Sequence, residues 1–587
     1  MSDFIYSKRK IEKEILSKEI IKIYPDTRLE TIEFHGEWGS LAVSHNLYHG
    51  FQPYETEEHI CVVLGGPLLC FKDKPFINSG SKNMGTKAIY QYMLEGKMKW
   101  GEDLSGPFAV LLINKTTSVV ECVTDLMSFI PIYTYKGTDN IMLSSHVDVL
   151  AKASSQERNI DAVSEVDFIL HGIVTYPYTS YKSLRQVAPA SRHTVSGNDF
   201  ELMTNSYWLP EEKSTYDSIN QAATDLRNGL QTYVHSIADE LDHVAHFISG
   251  GEDSRTLSGL LPKKATRDAF IFLDHMNREG RVAKKAAKAY GSSFNLSTRS
   301  KLHYLEILPT CTGLVGKGSQ YTHAHTFGFH KSCKLDEYPA VFGGLFSDAL
   351  LKGARIKKLR GSGRFPFMPQ IKRSNYSAAS QVENPVFQSE VLEELTKRRQ
   401  AHLGYVKSFR MESAEEWFEL WPSSMNVNIP NIHVNRRLFR SYEPFMSKDV
   451  VKISASVPQS WKLNRRLFHK AAKPLLKPTK WLLHGEGRLP YLPWTTNMVI
   501  QFVVWFYRQV GKRVGFIKGN QGPWGEWDAV RSSREWNKAI EDYADRFKIL
   551  SGVIKEKDLK RLFEGEYLSN NQKVNLLQSL YMNNNGA

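Results

Sequence analysis

Cysteine is scarce in this chain of 587 residues: five in all, Cys61, Cys70, Cys122, Cys311 and Cys333, an odd number with no CxxC pair among them. That spacing offers neither a disulfide framework nor a cysteine zinc site. Long apolar runs are missing too. The most apolar late stretch, Met498 to Tyr507, is too short to cross a bilayer and is interrupted by Gln501. The first ten residues, Met1 to Lys10, hold no apolar core of signal-peptide length. HExxH, a Gly-x-Ser-x-Gly elbow and a Walker Gly-Lys-Ser/Thr are all absent, which removes zincin, serine-elbow hydrolase and P-loop chemistry. There is no internal repeat and no low-complexity tract. The expectation is a cytoplasmic enzyme with no membrane partner.

What is present is an ordinary globular composition, 41% hydrophobic, 24% charged and 12% aromatic. The length exceeds what one core organises, so at least two domains are expected. Lys and Arg number 76 against 62 Asp and Glu, and the net charge of +14 favours an anionic partner: a nucleotide, a phosphorylated or carboxylated substrate, or nucleic acid. The charge is diffuse. Its densest patch runs from Lys352 to Arg360 and on through Gly361-Ser362-Gly363-Arg364, either a solvated loop or one that meets an anionic ligand.

To about Leu209 the chain is rich in short apolar runs ended by turn residues. Examples are Ile60 to Leu64 before Gly65-Gly66-Pro67, and Phe108 to Ile113 before Asn114-Lys115, with Ser118 to Thr124 as a hairpin partner. Such runs suit a layered sandwich of sheets covered on both faces. From about Ser214 the period changes. Ala222, Leu226, Leu230, Val234 and Ile237 follow helical steps within Ile219 to Leu241. A strand at His243 to Ile248, a glycine turn and helix, a strand at Ala269 to Leu273 and a helix at Arg278 to Tyr290 then predict a parallel sheet. Beyond Asp449 the pattern is mainly helical. The working division is 1–210 and 211–587.

The sharpest local feature is Ile248-Ser249-Gly250-Gly251-Glu252-Asp253-Ser254-Arg255, where a strand ends and a helix begins. The two glycines let backbone N–H groups approach phosphate oxygens, and the helix turns the positive end of its dipole to the same anion. Ser249 and Ser254 add hydroxyl donors, and Asp253 supplies a carboxylate for Mg²⁺. The bland reading is a glycine turn capped by Ser and Asp; the strand-turn-helix setting on both sides decides against it.

Ser-Gly-Gly-x-Asp-Ser resembles the loop of the ATP-pyrophosphatase (PP-loop) superfamily, which splits ATP between the α- and β-phosphates and forms an adenylate. Further stretches resemble the asparagine synthetase family. Tyr338 to Gly353, with Phe342-Gly343-Gly344-Leu345-Phe346-Ser347-Asp348, is similar to its second glycine-rich motif, which implies that Asp348 shares Mg²⁺ with Asp253. Asn435 to Val451, with Glu443-Pro444-Phe445-Met446, is similar to its Arg-x-Pro-Phe-Leu-Asp segment, followed by the Val457-Pro458 turn; Glu443 is either a substrate contact or half of a buried ion pair with a nearby Arg. Trp461 to Ala472 reads like the family's late helix, and the basic residue that then assists pyrophosphate release is Lys480 or Arg488. Asp274 and Glu279 either contact adenosine or cap a helix. Leu104 to Ala109, Asp125 to Tyr133 and Leu143 to His146 follow the order of a class II glutaminase domain.

The resemblance implies an α/β protein. An N-terminal α-β-β-α sandwich of the class II glutaminase (Ntn) type precedes a parallel-sheet PP-loop domain with a helical C-terminal part. It departs from the family twice. A class II glutaminase uses an N-terminal cysteine, whereas Ser2 stands here behind Met1, and some thirty residues read as an extension ahead of the domain. Leu345 stands where asparagine synthetases carry Glu and β-lactam synthetases Tyr. β-Lactam synthetases and lasso-peptide cyclases also lack the cysteine and use a substrate amine.

The resemblance therefore implies an ATP- and Mg²⁺-dependent ligase that adenylylates a carboxylate on a small molecule, sugar acid or peptide and passes it to ammonia or an amine, with a possible ammonia-donating partner. The rivals are a silent synthetase-derived scaffold and a PP-loop RNA-modifying enzyme. No RNA module or catalytic cysteine supports the latter, so nucleic acid is not expected. His323, His325 and His330 lack a carboxylate for zinc and read as a pocket wall, and Pro523 to Trp527 as packing.

Overall fold

A computed structural model describes residues 3–24, 29–72, 82–197, 200–359, 371, 379, 381–485, 487–513, 520–556 and 558–583. Two six-stranded antiparallel sheets come first. One holds Phe4–Ser7, Thr31–Gly36, Gly39–Ser44, Tyr133–Lys136, Ile141–Ser144 and Leu184–Gln186; the other holds Tyr54–Glu55, His59–Gly65, Phe108–Asn114, Val120–Thr124, Ser191–Val195 and Leu202–Ser206. Alternate side chains meet between them, Tyr6, Leu41 and Leu143 from one against Val62, Leu111 and Cys122 from the other. The opposite faces are covered by helices. Leu16, Ile20 and Leu150 pack on Ile5, Ala42 and Met142, and Ala88 and Ile89 pack near Cys61 and Val110. The expected α-β-β-α layering is what forms, and Phe108–Asn114 does pair with Val120–Thr124 as a hairpin.

The expected thirty-residue extension does not exist. Phe4–Ser7 is an interior strand, paired with Gly39–Ser44 on one side and Ile141–Ser144 on the other. Four residues with polar neighbours carry too little periodicity to be recognised as a strand.

Past the helix Ile219–Ala238, whose buried stripe includes Ala222, Leu226, Leu230, Val234 and Ile237, a five-stranded parallel sheet begins. Its spatial order is Ser293–Thr298, Thr266–Leu273, His243–Phe247, Val341–Phe342, Ser441–Tyr442. In chain order this is third, second, first, fourth, fifth. The direction of winding therefore reverses between His243–Phe247 and Val341–Phe342, and in an open parallel sheet the crevice beyond such a reversal is where ligands lodge. Both glycine-rich motifs follow these two neighbouring strands. After Asp449 the described residues are mainly helical.

Candidate functional site

At the end of His243–Phe247 the loop turns into the helix Glu252–Leu260. The Ser249 N–H donates to Ser254 Oγ and the Gly251 N–H to Ser249 Oγ, each at 3.0 Å, so the two serines hold the turn from inside. The Gly250 N–H donates to the Glu279 carboxylate at 2.6 Å, and a Cβ on residue 250 would lie 2.7 Å from Glu279 Oε2. Glu279 thus anchors the glycine loop, while Asn277 caps its helix. Asp274, its companion in the sequence reading, pairs with Arg299 at 2.9 Å. Arg255 is fully buried and donates to the carbonyls of Gly250, Leu482 and Leu483, tying the loop to a distant segment.

At the end of the next strand, Phe346 takes φ 69°, a left-handed backbone that a bulky residue adopts only under constraint. Its ring packs edge-on against Phe129 of the N-terminal half, 5.3 Å between centroids. This turn sets Asp348 on the short helix Ser347–Leu351, facing the first loop.

Between the loops lies the ammonium of Lys352, one helical turn after Asp348. It meets Asp348 Oδ1 at 2.8 Å, Asp253 Oδ1 closer still, and Glu252 at 3.5 Å, with its side chain 3% exposed. Arg465 at 2.7 Å and Arg488 at 3.3 Å complete the ring around Glu252. Burial opposes ionisation of Asp348 and Glu252, but the surrounding cations outweigh it and hold both carboxyls low. For Asp253 burial wins over Lys352, and its carboxyl is pushed up to about 6. The two carboxylates assigned to Mg²⁺ in the sequence therefore do converge on a single cation. That cation is the lysine ammonium, with the Asp348 side chain 64% exposed.

Of the two basic candidates only Arg488 lies in this cluster. Lys480 is exposed, with its ammonium over the Trp481 ring. The basic loop reaches the site through Lys352, while Arg360 to Arg364 lies outside the described residues. The histidines at 323, 325 and 330 form no metal cluster: among the described residues no group of three His, Cys, Asp or Glu is placed to hold an ion. Burial keeps His323 neutral, its pKa down at about 4, and His325 packs on Trp524 at 4.3 Å.

Glu443 departs from the expected ion pair. It is fully buried and accepts from the Leu345 N–H at 3.0 Å and the Ser441 hydroxyl at 3.1 Å, with no cation against it among the described residues. A Cβ on Gly343 would fall 2.2 Å from its Oε1, so glycine there lets the carboxylate reach the second loop. Burial pushes its pKa up to about 7. A carboxyl raised on folding favours the protonated fold, so its contribution shrinks as pH climbs from the unfolded value of 4.5 through 7. Glu443→Gln, whose carbonyl can accept from the Leu345 N–H while its amide donates to the Ser441 Oγ, should match wild type near pH 4 and be more stable at pH 8.5, by up to about 3 kcal/mol; thermal unfolding at the two pH values checks this.

Residues 40–208, under a third of the chain, match the family model of the glutamine amidotransferase domain. That segment therefore carries a domain of glutamine amidotransferase type. Among solved structures the chain is similar to the glutamine phosphoribosylpyrophosphate amidotransferase of B. subtilis complexed with ADP and GMP. The identity is 11% and the TM-score 0.22, over 50% of this chain and 65% of that one, so the match spans less than two thirds of that enzyme. A structure described as the allosteric regulatory enzyme of purine biosynthesis gives 11% identity and a TM-score of 0.22, over 51% of this chain and 75% of that one. No curated protein matches the chain. The amidotransferase-type match ends at 208, ahead of the glycine loop at Ser249 to Ser254.

Proposed function

We propose that the chain is an amide-forming ligase of the asparagine synthetase type, with residues 1–210 as a glutaminase-like domain without its cysteine and 211–587 as the synthetase. It would use ATP and Mg²⁺ to adenylylate a carboxylate, which ammonia or an amine then takes, releasing AMP and pyrophosphate. The observation that supports this best is the convergence of Asp253 and Asp348 on one cation at the reversal point of the parallel sheet. In this reading Ser249, Gly250, Gly251 and Ser254 receive the phosphates. Asp253 and Asp348 would hold Mg²⁺, which supplies charge neutralisation on the departing pyrophosphate. Arg488, with Arg465, adds fixed positive charge where that anion develops.

Lys352 favours a second reading. Its ammonium already neutralises both acidic residues, as expected in a scaffold that has given up metal binding. Pyrophosphate release from ATP, tested over a panel of carboxylates with ammonium, glutamine or amine donors, separates the two. The ligase reading expects release that needs one carboxylate and proceeds with ammonium but not glutamine. Arg488→Ala should lower it roughly a hundredfold or more, whereas Lys480→Ala leaves it within about twofold. Equal losses in the two variants would remove Arg488 from its role.

A further inference from the structure

The helix Trp494–Arg513 is almost unsupported. Of its described side chains only Asn497 is buried, with Trp494, Met498, Ile500, Val504 and Arg508 half-buried. Its outward side carries large apolar side chains among Thr495, Thr496, Gln501 and Gln509: Val499 is 67% exposed, Phe502 67%, Phe506 60% and Tyr507 73%, with Trp481 at 70% beside them. A helix of a water-soluble protein that touches its body along one stripe is ordinarily polar on every other face. A contiguous patch of this kind marks a surface that meets something apolar.

What it meets is indicated by its charged flank. A cleft of about 810 Å³ opens against the same helix, lined by Arg278, Arg281, Lys285 and Arg508 together with Trp481 and Tyr507, and among the described residues no carboxylate lines it. Arg278, Arg281 and Lys285 fall at three- and four-residue steps on one face of Arg278–Tyr290. Like charges at that spacing repel one another, so an external anion would stabilise the arrangement. Aromatic side chains beside a row of cations are the composition of a helix lying in a membrane interface. Among the described residues no helix is long and apolar enough to cross a membrane, so the contact is with one surface of the bilayer.

We infer that the outward face of Trp494–Arg513 and its basic cleft dock on an anionic lipid bilayer, with Phe502, Phe506 and Tyr507 entering the boundary between headgroups and acyl chains and the basic residues meeting lipid phosphates. This departs from the sequence expectation of no membrane partner and does not depend on the ATP reading. The cleft adjoins the candidate site: His484 lines it, 3.8 Å from where a Cβ on Gly251 would lie.

The test is co-sedimentation of the full chain with vesicles of phosphatidylcholine alone or with phosphatidylglycerol. Binding should require phosphatidylglycerol and weaken with salt. It should fall more than about tenfold in the double variant Phe502→Ser, Phe506→Ser, and about fivefold for each charge removed by Arg281→Gln and Lys285→Gln. Quenching of wild-type tryptophan fluorescence by brominated lipid, which needs no variant, should accompany binding. Absence of binding and quenching, equal binding to both vesicles, or variants that bind like wild type would overturn the inference. So would a concentration-dependent dimer that Phe506→Ser dissolves, since a second copy would then cover the face.

Discussion

Lys352→Met is expected to destabilise the protein by about 3–5 kcal/mol in the absence of divalent ions, because it removes the shared cation and leaves Glu252 and Asp253 without it. Methionine keeps most of the lysine's buried apolar volume, while the ammonium's place over the Phe468 ring is lost together with its ion pairs. The pH dependence has a definite sign. Lys352 is raised by its partners, so its pairing is fully present below the unfolded lysine value of 10.5 and is lost as pH rises through the folded one. Asp348 and Glu252 are depressed, so theirs is present above 3.8 and 4.5 and is lost as pH falls through the lower folded values. If Asp253 and Asp348 are metal ligands, millimolar Mg²⁺ should restore much of the lost stability in Lys352→Met, with a larger thermal shift than in wild type. A variant that stays destabilised whatever the Mg²⁺ concentration would show that the pair serves only the lysine.

The second large effect lies at the other end of the chain. Asp3 accepts from Arg436 at 3.0 Å and from Arg437 at 2.8 Å, and all three are buried. The Tyr24 hydroxyl and Ser145 Oγ also donate to it, the serine at 2.8 Å. Burial opposes its charge, but the two guanidinium groups hold the carboxyl well below its usual range. This knot joins the first strand of the N-terminal sheets to the helix Pro430–Leu438. Asp3→Ala would leave two buried guanidinium groups uncompensated and should cost about 3–5 kcal/mol or abolish soluble expression. In wild type the contribution of Asp3 is present above pH 3.8 and disappears as pH falls through the depressed value. Unfolding of Asp3→Ala at neutral pH, followed by tryptophan fluorescence, checks it; a midpoint equal to wild type would mean the knot contributes nothing net.

Much of this architecture is legible in the chain. Ile60 to Leu64, Phe108 to Ile113 and Ala269 to Leu273 are continuous apolar runs because each strand is covered on both faces. Ser249 to Ser254 and Asp348 are legible because glycine, hydroxyl and carboxylate have a specific use after a strand. The strands Val341–Phe342 and Ser441–Tyr442 are too short to carry a period, yet they bring Glu443 against Leu345. Lys352 reads as the start of a basic loop, although its i,i+4 spacing from Asp348 was the available signal. Arg465 had no signal, since it reaches Glu252 from a left-handed turn at Asn464 and Arg465, φ 53° and 61°. Glu252 occupies the variable position of the loop motif, and only the fold shows three cations gathered on it.

The most direct test of the account is calorimetric binding of ATP to the full chain, with and without Mg²⁺, in wild type and Asp253→Ala. The account predicts millimolar or tighter binding that needs Mg²⁺ and weakens about tenfold or more in the variant. Absence of ATP binding in wild type, or binding indifferent to both Mg²⁺ and Asp253, would contradict it and leave Lys352 as the permanent occupant of a silent site.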